Sequence, residues 1–254
     1  MNTKTLPEGR QPSALPLVRW RYGDLAMAIA AFIVLSLIAN IGAVAFADPM
    51  LDAGQKYEDN ASALAIVLLA SFVGQELFLL GAALWFGPRK YRQPLTSLGL
   101  REARPAGWLY PAALAVAGLV VIYGFVAVMS LLGVEEDDAA TEKAFENAGP
   151  LLVIALGSIA MAPWIEEIFF RGFIFGGLQG RIGWPAAALL SGLLFGLAHL
   201  SLFALLPFTV VGLLFAWAYK YTGSIRPSII AHLIINAVSL IAGFATSTSI
   251  IWAV

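Results

Sequence analysis

Long apolar runs separated by short polar stretches dominate this chain of 254 residues. A helix that spans a membrane needs about 20 mostly apolar residues, because the hydrocarbon core is about 30 Å thick and a helix rises about 1.5 Å per residue. Such runs lie between Asp24 and Asp48, from Ala61 to Phe86, from Trp108 to Gly133, onward from Gly149-Pro150, and from Pro227 to Val254. The uncharged stretch from Ile182 to Tyr219 holds two short spans if Pro207 breaks it. The pattern predicts an all-α polytopic membrane helix bundle of seven transmembrane helices, or eight if Phe173 to Gly180 forms its own helix.

Composition supports a membrane protein. Of the residues, 60% are hydrophobic and 12% are charged, whereas an average soluble domain carries about 25% charged residues. The chain has two histidines and no cysteine, which excludes a disulfide-stapled secreted domain and a Cys-ligated zinc or Fe–S site. A net charge of −1 does not indicate nucleic-acid binding. We therefore expect membrane lipid as a partner and no nucleic acid.

The basic residues separate to one side of the predicted bundle. With alternating spans, 13 of the 15 Lys and Arg residues fall on one side, and only Lys56 and Lys143 fall on the other. Ten acidic residues in two loops share the side of Lys56 and Lys143. By the positive-inside rule, this asymmetry predicts a cytoplasmic N-terminus and a C-terminus outside.

The first apolar run is expected to remain as an anchor. Ala45-Phe46-Ala47 fits a signal-peptide cleavage pattern, but the preceding tail and the apolar run are longer than those of signal peptides. We expect the chain to divide into a cytoplasmic tail (1–24), transmembrane helices 1–3 with their loops (25–147) and a C-terminal helical core (148–254), which holds the candidate functional residues from Glu166 onward.

A few polar groups interrupt the apolar runs and are candidates for function, because ionisable residues inside a membrane are costly. They are Glu76, Glu166, Glu167, Arg171, His199, His232 and Asn236. Residues four apart share one face of a helix. This spacing predicts an ion pair between Glu167 and Arg171, which leaves Glu166 free. Phe195 with His199 and His232 with Asn236 repeat the same spacing.

Each of these groups also has a purely structural interpretation. A Glu–Arg pair can fasten two helices, and a histidine or asparagine can form hydrogen bonds between helices. Glu76, beside Gln75, has no motif around it, and we interpret it as forming a structural hydrogen bond. The joint occurrence favours a site, because both histidines of the chain fall in such pairs and lie within about 70 residues of the double glutamate.

Depth along the helices is consistent with a shared site for two of these groups. Glu166 lies 15 residues from Arg181, and His199 lies 15 residues from Trp184, at helix ends on the same side. Both distances correspond to about 22 Å of helix. His232 is only six residues beyond Arg226 and is expected to be shallower, unless the last helix starts at a recessed position.

The residue types fit acyl hydrolysis without a covalent nucleophile. A carboxylate and a histidine at one depth can deprotonate a water molecule, and a second histidine with an asparagine can donate hydrogen bonds to an oxyanion. The chain lacks the G-x-S-x-G and H-E-x-x-H motifs of serine and zinc hydrolases. Two histidines and one glutamate on separate helices do not have a diagnostic metal-site spacing.

Three motifs in this order resemble the CAAX prenyl protease 2-like family, also called the CPBP or ABI family, of intramembrane endopeptidases. The family pattern E-E-x-x-x-R, F-x-x-x-H and H-x-x-x-N appears here as EEIFFR from Glu166, FGLAH from Phe195 and HLIIN from His232. The match covers about residues 150–240. The N-terminal part of the chain carries none of the motifs.

The resemblance implies a helix bundle with an intramembrane catalytic cavity and a glutamate-dependent endopeptidase. Glu166 and His199 would activate water, and His232 and Asn236 would stabilise the oxyanion. Supporting roles would fall to Glu167, Arg171 and Phe195.

The resemblance also implies the wider setting of the reaction. Substrates would be peptides or proteins, processed in the CAAX manner or as bacteriocins, and prenylation of the substrate is left open. No cofactor is required by these residues, although family members have often been described as metalloproteases. A bacterial plasma membrane is the expected location.

Two other functions stay open from the residues alone. One is a non-catalytic membrane scaffold or immunity protein with the same fold. The other is a proton- or ion-coupled transporter that uses Glu76, Glu166 and the histidines as a relay. A transporter of that kind is expected to repeat interrupted spans in corresponding halves, and no internal repeat is evident in the sequence.

Overall fold

The computed structural model describes residues 15–16, 18–103, 110–134, 143–144 and 146–246. Within this part of the chain every regular element is helical. The longer helices are α1 (Tyr22–Ala47), α2 (Ala61–Leu84), α3 (Tyr110–Leu131), α5 (Trp184–Ala198), α6 (Leu202–Thr222) and α7 (Arg226–Thr246). Short turns of 3₁₀-helix occupy Asp48–Met50, Tyr57–Asp59 and Leu95–Leu98, and a π-helical turn occupies Trp85–Arg89.

Helix α4 is assembled from five consecutive helical segments. They are Ala148–Ala155, Leu156–Met161, Ala162–Glu166, Glu167–Phe175 and Gly176–Ile182. The second and fourth segments are π-helical. Gly149–Ile182 forms one continuous apolar span of 34 residues. Phe173 to Gly180 therefore lies inside α4 and does not form the separate eighth helix that the sequence left open.

In the described chain, six helices are long and apolar enough to cross a membrane. Helix α5 is also apolar but has only 15 residues, a length of about 22 Å against a hydrocarbon core of about 30 Å. The all-α membrane bundle predicted from the apolar runs is confirmed. Where seven spans were predicted, the structure has six full-length helices and one shorter apolar helix.

The break between α5 and α6 lies at His199–Ser201 and not at Pro207. Leu200 has a φ of +55°, and the Ser201 hydroxyl accepts a hydrogen bond from the backbone N–H of Ala204, which caps the start of α6. Pro207 lies inside α6. The expectation of a break at Pro207 was wrong, because membrane helices tolerate an interior proline and the cap determines where the new helix starts.

Three basic helix ends meet at one end of the bundle. The Arg181 guanidinium donates to the backbone carbonyl of Trp20 (2.5 Å), just before α1. Buried Asp24 accepts a hydrogen bond from Lys90 (2.5 Å), which directly follows the π-helical turn Trp85–Arg89 after α2. This hydrogen bond raises the pKa of Lys90, because the carboxylate stabilises the charged ammonium. The meeting of these ends agrees with the alternating topology, and the side of the membrane that they face stays a prediction.

Helices α5 and α6 pack backbone to backbone through glycines. A Cβ atom on Gly196 would lie 2.6 Å from the carbonyl oxygen of Leu205. A Cβ atom on Gly212 would lie 2.6 Å from the Cα of Gly192. Small residues allow membrane helices to approach this closely. The end of α5, which carries Phe195 and His199, is thereby held against α6.

Candidate active site

Helix α4 carries the double glutamate into the interior of the bundle. Glu166 and Glu167 are both buried, and every residue of the π-helical segment Glu167–Phe175 is buried as well. A π-helical turn widens the helix locally and is frequent at functional sites. The most buried stretch of α4 is therefore π-helical and carries the charged residues Glu167 and Arg171.

Glu167 and Arg171 form a fully buried ion pair, with Arg171 Nη1 2.8 Å from Glu167 Oε1. This is the pair that the four-residue spacing predicted. The guanidinium carbon also lies 4.3 Å from the ring centroid of Phe195 and 5.1 Å from that of Phe215, which is cation–π geometry. Arg171 thus belongs to the interior of the bundle, although the charge count had grouped it with the basic loops.

His232 on α7 reaches both glutamates of α4. Its Nε2 atom is 3.8 Å from Glu166 Oε2, and its Nδ1 atom is 3.4 Å from Glu167 Oε1. Both separations are longer than a hydrogen bond between nitrogen and oxygen. His232 and Glu166 therefore lie at one depth, and a small shift or a small bound molecule could join them.

The start of α7 is recessed, which explains the depth of His232. The turn between α6 and α7 is buried, and the Ser224 hydroxyl donates to the backbone carbonyl of Arg101 (2.6 Å). The backbone N–H of Ile225 donates to the carbonyl of Gly99 (3.1 Å). The loop that follows α2 thus covers this turn. Of the two positions that the sequence left open for His232, the structure has the deeper one, beside Glu166.

Asn236, one helical turn after His232, is held by the backbone of α4. Its Nδ2 atom donates to the carbonyl oxygen of Ser158 (2.7 Å). Ser158 belongs to the π-helical segment Leu156–Met161. An amide nitrogen has two hydrogens, so the second remains available to a ligand. Ser158 was not found in the sequence, because a backbone carbonyl has no side-chain signature.

His199 lies immediately after the end of α5. Its Nδ1 atom is 2.7 Å from the carbonyl oxygen of Phe195. A carbonyl only accepts hydrogen bonds, so Nδ1 carries the hydrogen and the neutral ring keeps its lone pair on Nε2. That Nε2 atom is buried and has no hydrogen-bond partner among the described residues. His199 therefore has the form required of a proton acceptor.

Phe195 connects the two histidines. Its ring centroid lies 4.9 Å from that of His199 and 5.8 Å from that of His232. Between the described residues Glu166 and His199 the structure has no direct hydrogen bond or ion pair. The three motifs are therefore brought together around Phe195, and a water molecule shared by Glu166 and His199 would have to lie between them.

Glu76, which the sequence analysis interpreted as forming a structural hydrogen bond, lies next to the candidate catalytic residue Glu166. It lies on α2 and is buried, α2 packs against the segment Ala162–Glu166 of α4, and the Glu166 carboxyl group is its polar neighbour. The sequence singled it out as a lone carboxyl group in an apolar run, but a helical spacing pattern has no information about a contact between α2 and α4. We call Glu76, Glu166, Glu167, Arg171 and His232 the carboxylate cluster.

An apolar cavity of about 450 Å³ lies between α1, α2, α4 and α5. Its lining includes Gln75, Phe170 and Ala198, which precede Glu76, Arg171 and His199 in the chain. Among the residues that the structure describes, no group of three or more His, Cys, Asp or Glu side chains is arranged to hold a metal ion.

The fold and the site together define a polytopic α-helical membrane protein with a buried Glu–His–Asn centre. Residues 148–238 match the family model of the Rce1-like type II CAAX prenyl endopeptidases. This segment contains all three motifs, and over these residues the family resemblance predicted from the motifs is confirmed.

Two curated proteins are similar to the chain. The putative membrane peptidase YdiL of Bacillus subtilis (strain 168) is 40% identical over 90 residues, which are 35% of this chain and 36% of YdiL. The membrane-embedded CAAX protease MroQ of Staphylococcus aureus (strain USA300) is 29% identical over 156 residues, 58% of this chain and 63% of MroQ. The matches thus span less than two thirds of each relative. No solved structure matches the chain.

Proposed function

We propose that this protein is a membrane endopeptidase that hydrolyses a peptide bond with a water molecule activated by Glu166 and His199. The observation that carries the proposal is the buried meeting of Glu166 with His232, inside the segment that matches the Rce1-like endopeptidases. A carboxylate, two imidazoles and an amide at one buried site are the groups that general base catalysis and oxyanion stabilisation need.

In the proposed first step, Glu166 or the Nε2 lone pair of His199 takes a proton from water. The water oxygen bonds to the peptide carbonyl carbon, and the electron pair of the carbonyl moves to its oxygen. In the second step the carbonyl re-forms, the C–N bond breaks, and the held proton goes to the departing nitrogen. One peptide and one water thus give a new carboxyl terminus and a new amino terminus.

His232 and Asn236 would stabilise the oxyanion of the intermediate. The second amide hydrogen of Asn236 is free to donate, because the Ser158 carbonyl accepts only one. His232 would donate from Nε2, which faces Glu166. Each such donor typically contributes about 10²–10³-fold to kcat.

The proposed reaction requires no metal ion, since a carboxylate and an imidazole supply the base. We infer that the substrates are peptides or proteins processed at the membrane, in the CAAX manner or as secreted peptides. Substrate prenylation is one form that this processing can take. The basic end of the bundle would face the cytoplasm of a bacterial cell, with the N-terminus on that side.

The test compares cells that express the full chain with cells that express Glu166→Gln. The substitution keeps the volume of the side chain and removes the base. Peptidomics of membrane proteins and of their C-termini should show cleavage products that are absent with Glu166→Gln. Glu146→Gln, at a position whose side chain is 67% exposed, is the matched control and should behave as wild type. Identical products from wild type and Glu166→Gln at equal protein levels would refute the proposal.

A further inference from the structure

Glu76 stands apart from the rest of the proposed site. It lies on α2, outside residues 148–238 and outside the three motifs, and yet only 2% of its surface is exposed. The segment Ala162–Glu166 of α4 packs against α2, and the carboxyl group of Glu166 is the polar neighbour of Glu76. One oxygen of each carboxyl group, Oε2 in both cases, has no hydrogen-bond donor among the described residues.

Two ionised carboxylates in this position would be strongly unfavourable. An unpaired charge inside a membrane bundle is costly, and two like charges in contact repel each other. Among the described residues, the other charged or titratable groups that act on Glu166 are Glu167, Arg171 and His232, and the titratable group that acts on Glu76 is Glu166. A hydrogen bond between two carboxyl groups needs one proton, and that proton removes both difficulties.

We propose that Glu76 and Glu166 share a single proton and that Glu76 is a positioning residue for the base of the proposed reaction. The Glu76 O–H would bond to one oxygen of Glu166 and fix the plane of that carboxylate. The other oxygen would then be turned toward the water and toward His232. This inference rests on the proposed function, since it gives Glu76 a task only if Glu166 is the base.

A shared proton has a consequence for the pH dependence of the reaction. Two interacting carboxyl groups release their protons in two steps that belong to the pair. Only the singly protonated pair has both a base and a proton to hold that base. Activity should therefore fall when the pair gains a second proton at low pH and when it loses the shared proton at high pH.

The first test uses kinetics of the purified full chain in lipid nanodiscs. The probe is a fluorogenic peptide that ends in a farnesylated Cys-aliphatic-aliphatic-X sequence. Glu76→Gln keeps the volume and a hydrogen-bond donor but cannot release a proton. It should lower kcat by about 10–100-fold, leave KM within about twofold, and remove the fall in activity at high pH that the pair causes. Glu76→Asp, which keeps the proton, should restore the two-sided pH profile.

The second test needs no substrate. Infrared spectra of the same protein at neutral pH should contain the C=O stretch of a protonated carboxyl group, and Glu76→Gln should lose it. Gly81→Ala, on the same helix with open space around its Cβ position, should retain both the band and the kinetics. A band that persists unchanged in Glu76→Gln, or a Glu76→Gln variant with wild-type kcat and pH profile, would overturn the shared proton. Activity that survives in Glu166→Gln would instead overturn the proposed function, and the infrared band would still decide whether the pair shares a proton.

Discussion

The buried ion pair between Glu167 and Arg171 gives the sharpest prediction about stability. Both side chains are fully buried, so removing one partner leaves the other charge inside the bundle without its counter-charge. The perturbations are Arg171→Met and Glu167→Gln, each of which keeps a similar volume, and the combination of the two. The expected pattern is that each single variant is less stable than the double variant.

The size of the expected loss in stability follows from the distance between the two charged groups. At 2.8 Å between Nη1 and Oε1, Coulomb's law with an effective dielectric constant of about 20 gives an attraction of about 6 kcal/mol. Breaking a buried pair by removing one partner typically destabilises a protein by about 3–5 kcal/mol, while replacing both partners is often nearly neutral. Arg171→Met also removes the cation–π contact with Phe195, which is worth up to about 2 kcal/mol in a desolvated setting.

The assay is equilibrium unfolding of the purified chain in mixed detergent micelles, followed by circular dichroism. We expect the free energy of unfolding to fall by about 3–5 kcal/mol in each single variant. In the double variant the loss should be smaller than in either single variant. Arg226→Met is the matched control, because Arg226 pairs with Glu102 at the surface, where such pairs contribute about 0–1 kcal/mol.

Two results would refute this reasoning. One is a free energy of unfolding of either single variant within about 1 kcal/mol of wild type, which would mean that an unpaired buried charge does not destabilise this protein. The other is a double variant whose loss equals the sum of the single losses, because additivity would show that Glu167 and Arg171 do not interact.

The remaining predictions concern packing and metal dependence. Gly196→Ala places a Cβ atom 2.6 Å from the Leu205 carbonyl oxygen and should destabilise the protein by about 1–3 kcal/mol. The control Gly180→Ala has open space around its Cβ position and should leave the stability unchanged. Equal stability of the two variants would contradict the close α5–α6 packing. Because Gly196→Ala also displaces the end of α5, kcat should fall through His199. Because carboxylate and imidazole groups supply the proposed base, cleavage should persist after dialysis against a strong chelator, and loss of activity that zinc restores would contradict the metal-free reaction.

Much of the fold could be predicted because each membrane helix corresponds to one apolar run in the sequence. Each helix must bury about 20 apolar residues in lipid, so the runs in the sequence located the long helices directly. The Glu167–Arg171 pair was equally local, since both residues lie on one turn of one helix. The break expected at Pro207 was wrong because the sequence signals for the end of a membrane helix are weak. A proline signals a break only weakly in lipid, and the Ser201 cap that marks the real start of α6 is a single hydroxyl.

The site was only partly predictable. The three motifs identified the catalytic candidates Glu166, His199, His232 and Asn236, whose roles stay predictions. The position of His232 depended on a turn buried beneath the loop at Gly99 and Arg101. That burial is a contact between segments more than 120 residues apart in the chain, and nothing in the spacing of residues along α7 encodes it.

The sequence by itself determined which stretches are helices, which polar residues lie among them, and which of those residues share a helix face. These properties depend on composition and on a repeat of 3.6 residues per turn, and both are local. Only the tertiary structure decided that Glu76 of α2 meets Glu166 of α4 and that Asn236 is held by a backbone carbonyl of α4. The physical reason is that lipid selects an apolar surface on every helix but does not select the neighbour; the neighbour is chosen by close packing and by the need to pair each buried polar group.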